Sequence, residues 1–199
     1  MTYFIDFVLA SGAQRVSKLA AAKKRQHSTV LDFYRPLRTR IVTAWSHGAH
    51  RGKALEGLLQ ETANPTATKS FKPNIDGHQR FVAQHPGLSW FEPVTGILPA
   101  GPKLGIAINP ELGLVIDGVP HHLKLWLRNE TLVRQRVAFT IALMSRLRIP
   151  EGHRFALLDL RRSALCYLDE SSSQPMAWRK LGLLIDIEAT AYAKGWELV

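Results

Sequence analysis

The stretch NPELGLVIDGVPHHLKLWLR, residues 109–128, predicts a β-hairpin around which the rest of the chain is organised. Its centre, Asp117-Gly118, lies between Ile116 and Val119. This dipeptide favours a two-residue type I′ turn, because both turn positions need a positive φ angle. A turn of fixed length sets the register of the strands that it joins, so the partner of each residue can be counted outward from it.

The counted register places an acid beside a lysine. The expected pairs are Ile116 with Val119, Leu114 with His121, Gly113 with His122, Leu112 with Leu123, and Glu111 with Lys124. Side chains alternate between the two faces of a sheet. The apolar face carries Leu112, Leu114, Ile116, Val119, Leu123, Leu125 and Leu127, with His121 among them. The polar face carries Asn109, Glu111, Val115, His122, Lys124, Trp126 and Arg128. A bulge at Pro120, which cannot donate to the ladder, would separate Glu111 from Lys124.

Pro110-Glu111, ten intervening residues and then His122-Leu123-Lys124 resemble a degenerate form of the PD-(D/E)XK nuclease superfamily motif. The predicted order of elements over roughly residues 50–168, a helix, three strands, a helix and a strand, is also similar to that superfamily's core. The resemblance implies that Glu111 binds Mg²⁺ or Mn²⁺ and that Lys124 activates water or stabilises charge. His122 stands where the family has its middle acid, and with Glu111 and Lys124 it forms the candidate catalytic set. Mg²⁺ prefers carboxylate oxygens, whereas imidazole suits zinc and softer metals. A retained fold with lost activity therefore stays open beside an active nuclease.

The same resemblance implies further site residues. Gln135 falls where some members of the superfamily place a glutamine, and an acid of the first core helix, Glu56 or Glu61, would be an additional metal ligand. Asp159, in a later strand, is a further acid that could approach the site. Independently of the resemblance, His47 and His50 are spaced to share a helix face and form a weak metal-pair candidate, which lacks a third ligand.

Positive charge is concentrated near the N-terminus. The chain has 26 Lys and Arg against 16 Asp and Glu, a formal net charge of +10. Residues 1–53 hold ten basic and two acidic residues, so they supply +8 of that total. Such an excess favours a polyanionic partner, with nucleic acid, DNA or RNA, as the first candidate. The candidate nucleic-acid-binding residues are Lys18, Lys23, Lys24, Arg25, Arg38 and Arg40, together with Trp126 and Arg128 on the hairpin.

Three regions are expected along the chain. Residues 1–61 predict a basic helical N-terminal region, residues 62–77, with two prolines and small polar side chains, predict a linker, and residues 78–199 predict an αβ core domain. Within the core we expect a short helix at 78–85, three strands from Trp90, an amphipathic helix at 130–148, a long strand or hairpin at 155–169 and a final helix at 175–196. The expected fold class is α/β (α+β), a mixed and mostly antiparallel sheet flanked by helices.

The composition narrows the cellular setting. A hydrophobic fraction of 46% with 21% charged residues argues against global disorder. The single cysteine, Cys166, excludes an intrachain disulfide and fits a reducing compartment. No apolar run is long enough to span a membrane, and the start, MTYFIDFVLASG, contains Asp6 and lacks a basic segment typical of signal peptides. We therefore expect a cytoplasmic protein without a membrane partner.

Three functions remain open on the sequence. The first is a nucleic-acid-binding protein on a restriction-endonuclease-like scaffold, acting without catalysis and within a complex. The second is an active metal-dependent nuclease that uses Glu111 and Lys124. The third is a protein-interaction module whose basic helices dock an acidic protein partner.

Overall fold

The computed structural model describes residues 1–26, 33–48, 55–168 and 175–199. The helices are α1 (Thr2–Val8), α2 (Ala13–Gln26), α3 (Arg35–Ser46), α4 (Glu56–Glu61), α5 (Pro65–Gln84), α6 (Arg134–Met144) and α7 (Pro175–Leu198). The strands are β1 (Ser89–Phe91), β2 (Gly96–Pro99), β3 (Gly105–Ile108), β4 (Leu112–Ile116), β5 (Val119–Trp126), β6 (Arg154–Asp159) and β7 (Ala164–Cys166). Among the helices in these ranges, none combines the length and the apolar character needed to cross a membrane.

A mixed five-stranded sheet forms the centre of the fold, in the order β1-β4-β5-β6-β7. The β1–β4, β4–β5 and β6–β7 pairs are antiparallel, and β5–β6 is parallel. The parallel pair needs a crossover connection, which α6 supplies. A separate antiparallel hairpin, β2–β3, precedes β4. The predicted fold class, an α/β fold with a mixed and mostly antiparallel sheet flanked by helices, is confirmed.

The central hairpin has the predicted register. Asp117 and Gly118 have φ angles of 51° and 79°, as a type I′ turn requires. Pairing continues without interruption from Ile116–Val119 to Leu112–Leu123, and Pro120 pairs with Val115. Hydrogen-bonded and non-hydrogen-bonded pairs alternate outward from the turn, so the Pro120 nitrogen faces away from β4. The pairing with β6 begins only at the next residue, so the ladder needs no donor there.

Both faces of the sheet are covered by helices. The first core joins the apolar face of the hairpin to α3, α4 and α5, and it includes Leu37, Ile41, Trp45, Phe71, Ile75, Leu112, Leu123 and Leu158. The second core lies on the opposite face, under α1, α2, α6 and α7, and it includes Phe4, Leu19, Ile141, Met144, Leu157, Ile185 and Tyr192. The polar face of the hairpin is therefore buried as well, since His122, Lys124 and Trp126 all lie in the interior.

The prediction of a linker at 62–77 is wrong, because most of this segment belongs to α5. Asn64 caps the helix by accepting hydrogen bonds from the backbone N–H groups of Thr66 and Ala67, at 2.9 and 3.3 Å. Pro65 occupies the first turn, where its missing N–H is not needed. Pro73 lies inside the helix, which tolerates it because buried side chains hold α5 on the sheet. The short helix predicted at 78–85 is the C-terminal part of α5.

The N-terminal helices do not form a core of their own in the described part of the chain. Residues of α3 pack in the first core, and residues of α1 and α2 pack in the second. The predicted region 1–61 and the predicted core domain 78–199 therefore share both hydrophobic cores. The predicted segment 155–169 is a hairpin rather than one strand, and the helix predicted at 130–148 begins only at Arg134, after Val133 in an extended conformation.

Candidate functional site

The predicted contact between Glu111 and Lys124 is confirmed. The Lys124 ammonium contacts Oε1 of Glu111, and the Glu111 backbone N–H donates to the carbonyl of Leu123 at 2.8 Å. The two side chains are only 7% and 10% exposed. The two residues therefore form a buried ion pair. The hairpin positions it, and the helices of the second core cover it.

A small network occupies the polar atoms of this pair. Oε2 of Glu111 accepts the Leu125 backbone N–H at 2.9 Å, and Nε of Arg38 lies 3.2 Å from Oε1. The Lys124 ammonium also donates to the backbone carbonyl of Asn109 at 3.1 Å and lies 3.5 Å from its side-chain oxygen. Both carboxylate oxygens of Glu111 are thus engaged within the protein.

The pair lines a cavity of about 240 Å³. Six parts of the fold form its walls, and their residues are Met1, Thr2, Tyr3 and Ile5 at α1, Tyr34 and Arg38 at α3, Asn109 and Glu111 before β4, residues 124–128 at the end of β5, Arg136 and Thr140 of α6, and Leu157 of β6. We refer to it as the hairpin cavity. It lies at the end of the parallel β5–β6 pair, where α1 covers the sheet.

A second carboxylate, Asp6 of α1, stands beside the hairpin cavity. It pairs with Arg136 at 2.7 Å and with Arg128 at 3.2 Å. Both guanidinium groups lie near the face of the Trp126 indole, at 5.1 and 5.5 Å from a ring centroid. Each acid of the site, Glu111 or Asp6, therefore balances two cations. Among the described side chains, this cluster of four cations and two carboxylates has a formal excess of two positive charges.

Trp126 is buried beside this cluster and contacts two of its arginines. It is 8% exposed, and its indole N–H donates to the Glu130 carbonyl at 3.0 Å. The ring therefore orients Arg128 and Arg136 by cation–π contact, rather than presenting an open face on which a base could stack.

His122, predicted as a catalytic residue, does not line the hairpin cavity in the described structure. Its Nδ1 accepts the Val94 backbone N–H at 3.2 Å, and its Nε2 lies 3.0 Å from Nδ1 of His153. Phe91 and Phe155 pack against the ring. Because Nδ1 is an acceptor, the neutral ring carries its proton on Nε2 and donates it to His153. This arrangement fits a structural histidine held neutral in the interior.

Burial lowers the pKa of His122 from 6.5 to about 4, with smaller contributions from His153 and His121. The folded state therefore disfavours the protonated ring, so this stabilisation is complete above pH 6.5 and is lost as the pH falls toward 4. We expect the free energy of unfolding to decrease by about 2 kcal/mol from this group between pH 7 and 4.5. Urea denaturation at both pH values measures the change.

A matched histidine separates this effect from general acid denaturation. His122→Asn should be less stable at pH 7 and should show a flatter pH dependence, whereas His47→Asn, at an exposed residue, should keep the wild-type slope. An unchanged slope in His122→Asn would contradict the assignment of a buried neutral ring.

The other predicted ligands lie elsewhere in the described structure. Glu61 pairs with Arg40 at the surface, and Glu56 accepts a hydrogen bond from Gln79 at 3.1 Å. Asp159 is buried but is bound by Arg162 at 2.8 Å. Gln135 is exposed in the first turn of α6. His47 contacts the Thr43 carbonyl at 2.9 Å, and its predicted partner His50 lies outside the described residues.

The donor set of the hairpin cavity does not fit Mg²⁺ or Mn²⁺. These ions prefer several oxygen ligands. Of the described residues that line the cavity, Glu111 is the one carboxylate, and its oxygens are already engaged by Lys124, Arg38 and the Leu125 N–H. In the described ranges no group of three or more His, Cys, Asp and Glu side chains is arranged to hold a metal. The surrounding cations would also repel a divalent ion.

The predicted basic residues of the N-terminal helices are only partly free for a partner. Lys18 and Lys24 are exposed on α2. Lys23 donates to the Trp196 carbonyl at 3.1 Å and thereby ties α2 to α7. Arg40 pairs with Glu61, and the side chain of Arg25 lies outside the described residues. Of the predicted basic residues whose side chains the structure describes, Arg38 and Arg128 line the hairpin cavity.

Two residues of the cluster, Asp6 and Arg136, were not predicted as site residues. Asp6 is one of only two acids in the basic first 53 residues, and Arg136 lies in the first turn of the helix after the hairpin. The scarcity of acids around Asp6 and the place of Arg136 in the helix after the hairpin were weak sequence signals for a site. Their contact with each other depends on how α1 packs across the sheet. No protein-family model, curated protein or solved structure shows significant similarity to this chain.

Proposed function

We propose that this chain is a nucleic-acid-binding protein on a nuclease-like scaffold, and that it binds a phosphate group of DNA or RNA in the hairpin cavity without cleaving the strand. The observation that carries the proposal is the charge of the site. Arg38, Lys124, Arg128 and Arg136 surround a cavity in which Glu111 is the one carboxylate among the described lining residues. A reducing compartment such as the cytoplasm fits the single Cys166.

The geometry of the cations supports recognition of phosphate oxygens. Arginine presents a planar fork of N–H donors that matches phosphate, and ion pairs with Asp6 and contacts with Trp126 hold two of these forks in place. Side chains that are already oriented lose little conformational freedom when a ligand binds. Exposed Lys18 and Lys24 on α2 add positive surface beyond the cavity.

Binding without cleavage is favoured over nuclease activity because Glu111 is neutralised by its neighbours. A metal-dependent nuclease needs a cation to stabilise charge and activate water. The one carboxylate among the described lining residues is engaged by Lys124, Arg38 and a backbone N–H, which leaves little negative potential for such an ion. The contact between Glu111 and Lys124 remains the observation that favours the alternative, an active nuclease.

The proposal predicts salt-dependent binding that Arg128 supports. We expect fluorescence anisotropy with labelled single-stranded and duplex DNA and RNA to give an affinity that falls steeply with salt. Arg128→Gln should weaken binding by about five- to tenfold and reduce the magnitude of the salt slope by about 0.7 for a single strand. The loss of one phosphate contact, with its released counterion, is the physical reason.

The matched control is Arg146→Gln. Arg146 also pairs with an aspartate, Asp186, at 2.5 Å, and its side chain is 34% exposed against 36% for Arg128, but it does not line the hairpin cavity. This variant should bind as the wild type does. Equal losses in both variants, or no affinity at low salt, would exclude the proposed site. Cleavage in Mg²⁺ or Mn²⁺ that Glu111→Gln abolishes would instead establish the nuclease, and binding of acidic polypeptides alone would favour the protein-interaction module.

A further inference from the structure

We infer that the hairpin cavity selects a phosphate monoester, the group found at the end of a nucleic-acid strand, over the phosphodiesters within the strand. This inference rests on the proposed function and adds the class of group that the cavity recognises. It is argued from the charge of the cluster, the size of the cavity and the arrangement of the donors.

The charge of the cluster matches a dianion. Lys124 and Arg38 face Glu111, while Arg128 and Arg136 face Asp6, so these six described side chains carry a formal excess of two positive charges. A phosphodiester carries one negative charge, whereas a phosphate monoester carries about −1.5 to −2 at pH 7. Because the site is partly withdrawn from water, a mismatch of one charge weighs more there than at an open surface. A terminal phosphate neutralises the excess, and an internal phosphate leaves part of it.

The size of the cavity favours an end rather than a passing strand. Its volume of about 240 Å³ is below the range of about 300–1,000 Å³ usual for small-molecule pockets. Walls from α1, α3, β5, α6 and β6 surround this space. An internal phosphodiester requires the chain to enter and to leave, and therefore needs room for a nucleotide on both sides. A terminal phosphate needs one opening, with the rest of the strand outside.

The donors are also arranged for a group with many free oxygens. A terminal phosphate offers three non-bridging oxygens, and an internal phosphodiester offers two. Four cationic side chains reach the cavity from three directions, since Arg38 comes from α3, Lys124 and Arg128 from the end of β5, and Arg136 from α6. Charge-assisted hydrogen bonds from converging donors are stronger than those between neutral groups. The third oxygen therefore adds a contact that an internal phosphate does not offer.

The test compares oligonucleotides that differ only at their ends. Labelled single strands of one sequence are prepared with a 5′-phosphate, a 3′-phosphate or hydroxyls at both ends, with the dye placed internally. Titration of the full chain should give an affinity at least about tenfold higher for one phosphorylated end than for the hydroxyl strand. Arg128→Gln should reduce this ratio toward one, whereas Arg146→Gln should leave it unchanged.

The outcomes separate this inference from the proposed function. Equal affinity of all three strands, with the salt dependence retained, overturns the selection of a monoester and leaves nucleic-acid binding in place. Inorganic phosphate and a nucleoside monophosphate are titrated directly as well. If neither they nor any strand binds, both the inference and the proposed function are overturned. Binding of the small phosphates alone overturns nucleic-acid binding and supports the monoester site, with a small molecule as its source.

Discussion

Replacing Glu111 with alanine is expected to reduce the free energy of unfolding by about 3 to 5 kcal/mol. The change removes the carboxylate that pairs with the buried Lys124 ammonium, whose side chain is 10% exposed and which also contacts both oxygens of Asn109. It also leaves the Leu125 backbone N–H without its acceptor. A buried charge that loses its counterion is penalised far more than an exposed one. Urea denaturation at pH 7 measures the loss.

The surface pair of Arg40 and Glu61 is the matched control. Its carboxylate side chain is 58% exposed, so Glu61→Ala should change stability by less than about 0.5 kcal/mol. The double variant Glu111→Leu/Lys124→Met should recover part of the loss, because it also removes the buried Lys124 ammonium, whereas Arg38 and the Leu125 N–H still lose Glu111 as a partner. A loss in Glu111→Ala as small as that in Glu61→Ala would contradict a buried pair.

The same residue distinguishes binding from catalysis. Glu111→Gln keeps one oxygen acceptor, replaces the other with an NH₂ donor and removes one negative charge, so the excess of positive charge around the cavity rises. If the cavity binds phosphate without a metal, the variant should bind an oligonucleotide several-fold more tightly. The expected gain in affinity is about that of one additional contact between a cation and a phosphate. A metal ligand would behave in the opposite way, since its loss weakens a metal-dependent complex. Fluorescence anisotropy with and without Mg²⁺ shows whether the affinity of the variant rises or falls.

Replacing Gly77 with alanine is expected to destabilise the protein by at least about 3 kcal/mol. A Cβ at this residue would lie 1.7 Å from the backbone oxygen of Leu160 and 2.7 Å from its carbonyl carbon. Backbone atoms cannot turn aside as a flexible side chain can. The same contact is reinforced by Ser163, whose hydroxyl donates to the Gly77 carbonyl at 2.8 Å. The variant should therefore move α5 away from the β6–β7 turn, and thermal and urea unfolding measure the effect.

Gly57 provides a helical glycine with space around it. An added Cβ there would have its nearest contact at 3.6 Å, with the side chain of Glu61. Gly57→Ala should be neutral or stabilising by up to about 1 kcal/mol, because alanine favours helix. If Gly77→Ala proves equally harmless, α5 does not approach the Leu160 backbone as described.

The failed linker prediction has the same physical origin as the Gly77 contact. Pro65 and Pro73 were interpreted as signs of a linker, yet both lie in α5. Pro65 occupies the first turn, and Gly77 is the residue whose missing Cβ lets α5 lie directly on the sheet. Buried Asn74 then donates to the Leu127 carbonyl at 3.1 Å and fixes α5 to the strand end. Local propensity cannot reveal contacts that join residues 53 and 86 positions apart.

The site was predicted in part. The turn at Asp117-Gly118 was sufficient to bring Glu111 beside Lys124, because a hairpin register is a local property. The role of His122 was not accessible in this way, since its partners Val94 and His153 come from distant segments. Nor was the pairing of Asp6 with Arg128 and Arg136, which joins the first helix to the hairpin and to α6.

The sequence by itself determined the hairpin, its register, the two helices that follow it and the concentration of positive charge in the first third of the chain. These follow from turn chemistry, periodicity and composition, which act between near neighbours. Only the tertiary structure decided that the polar face of the hairpin is covered and that Glu111 and Asp6 each hold two cations around one cavity. The reason is that burial and charge balance depend on which distant helix lies over a strand, and α1 closes this site from the far end of the chain.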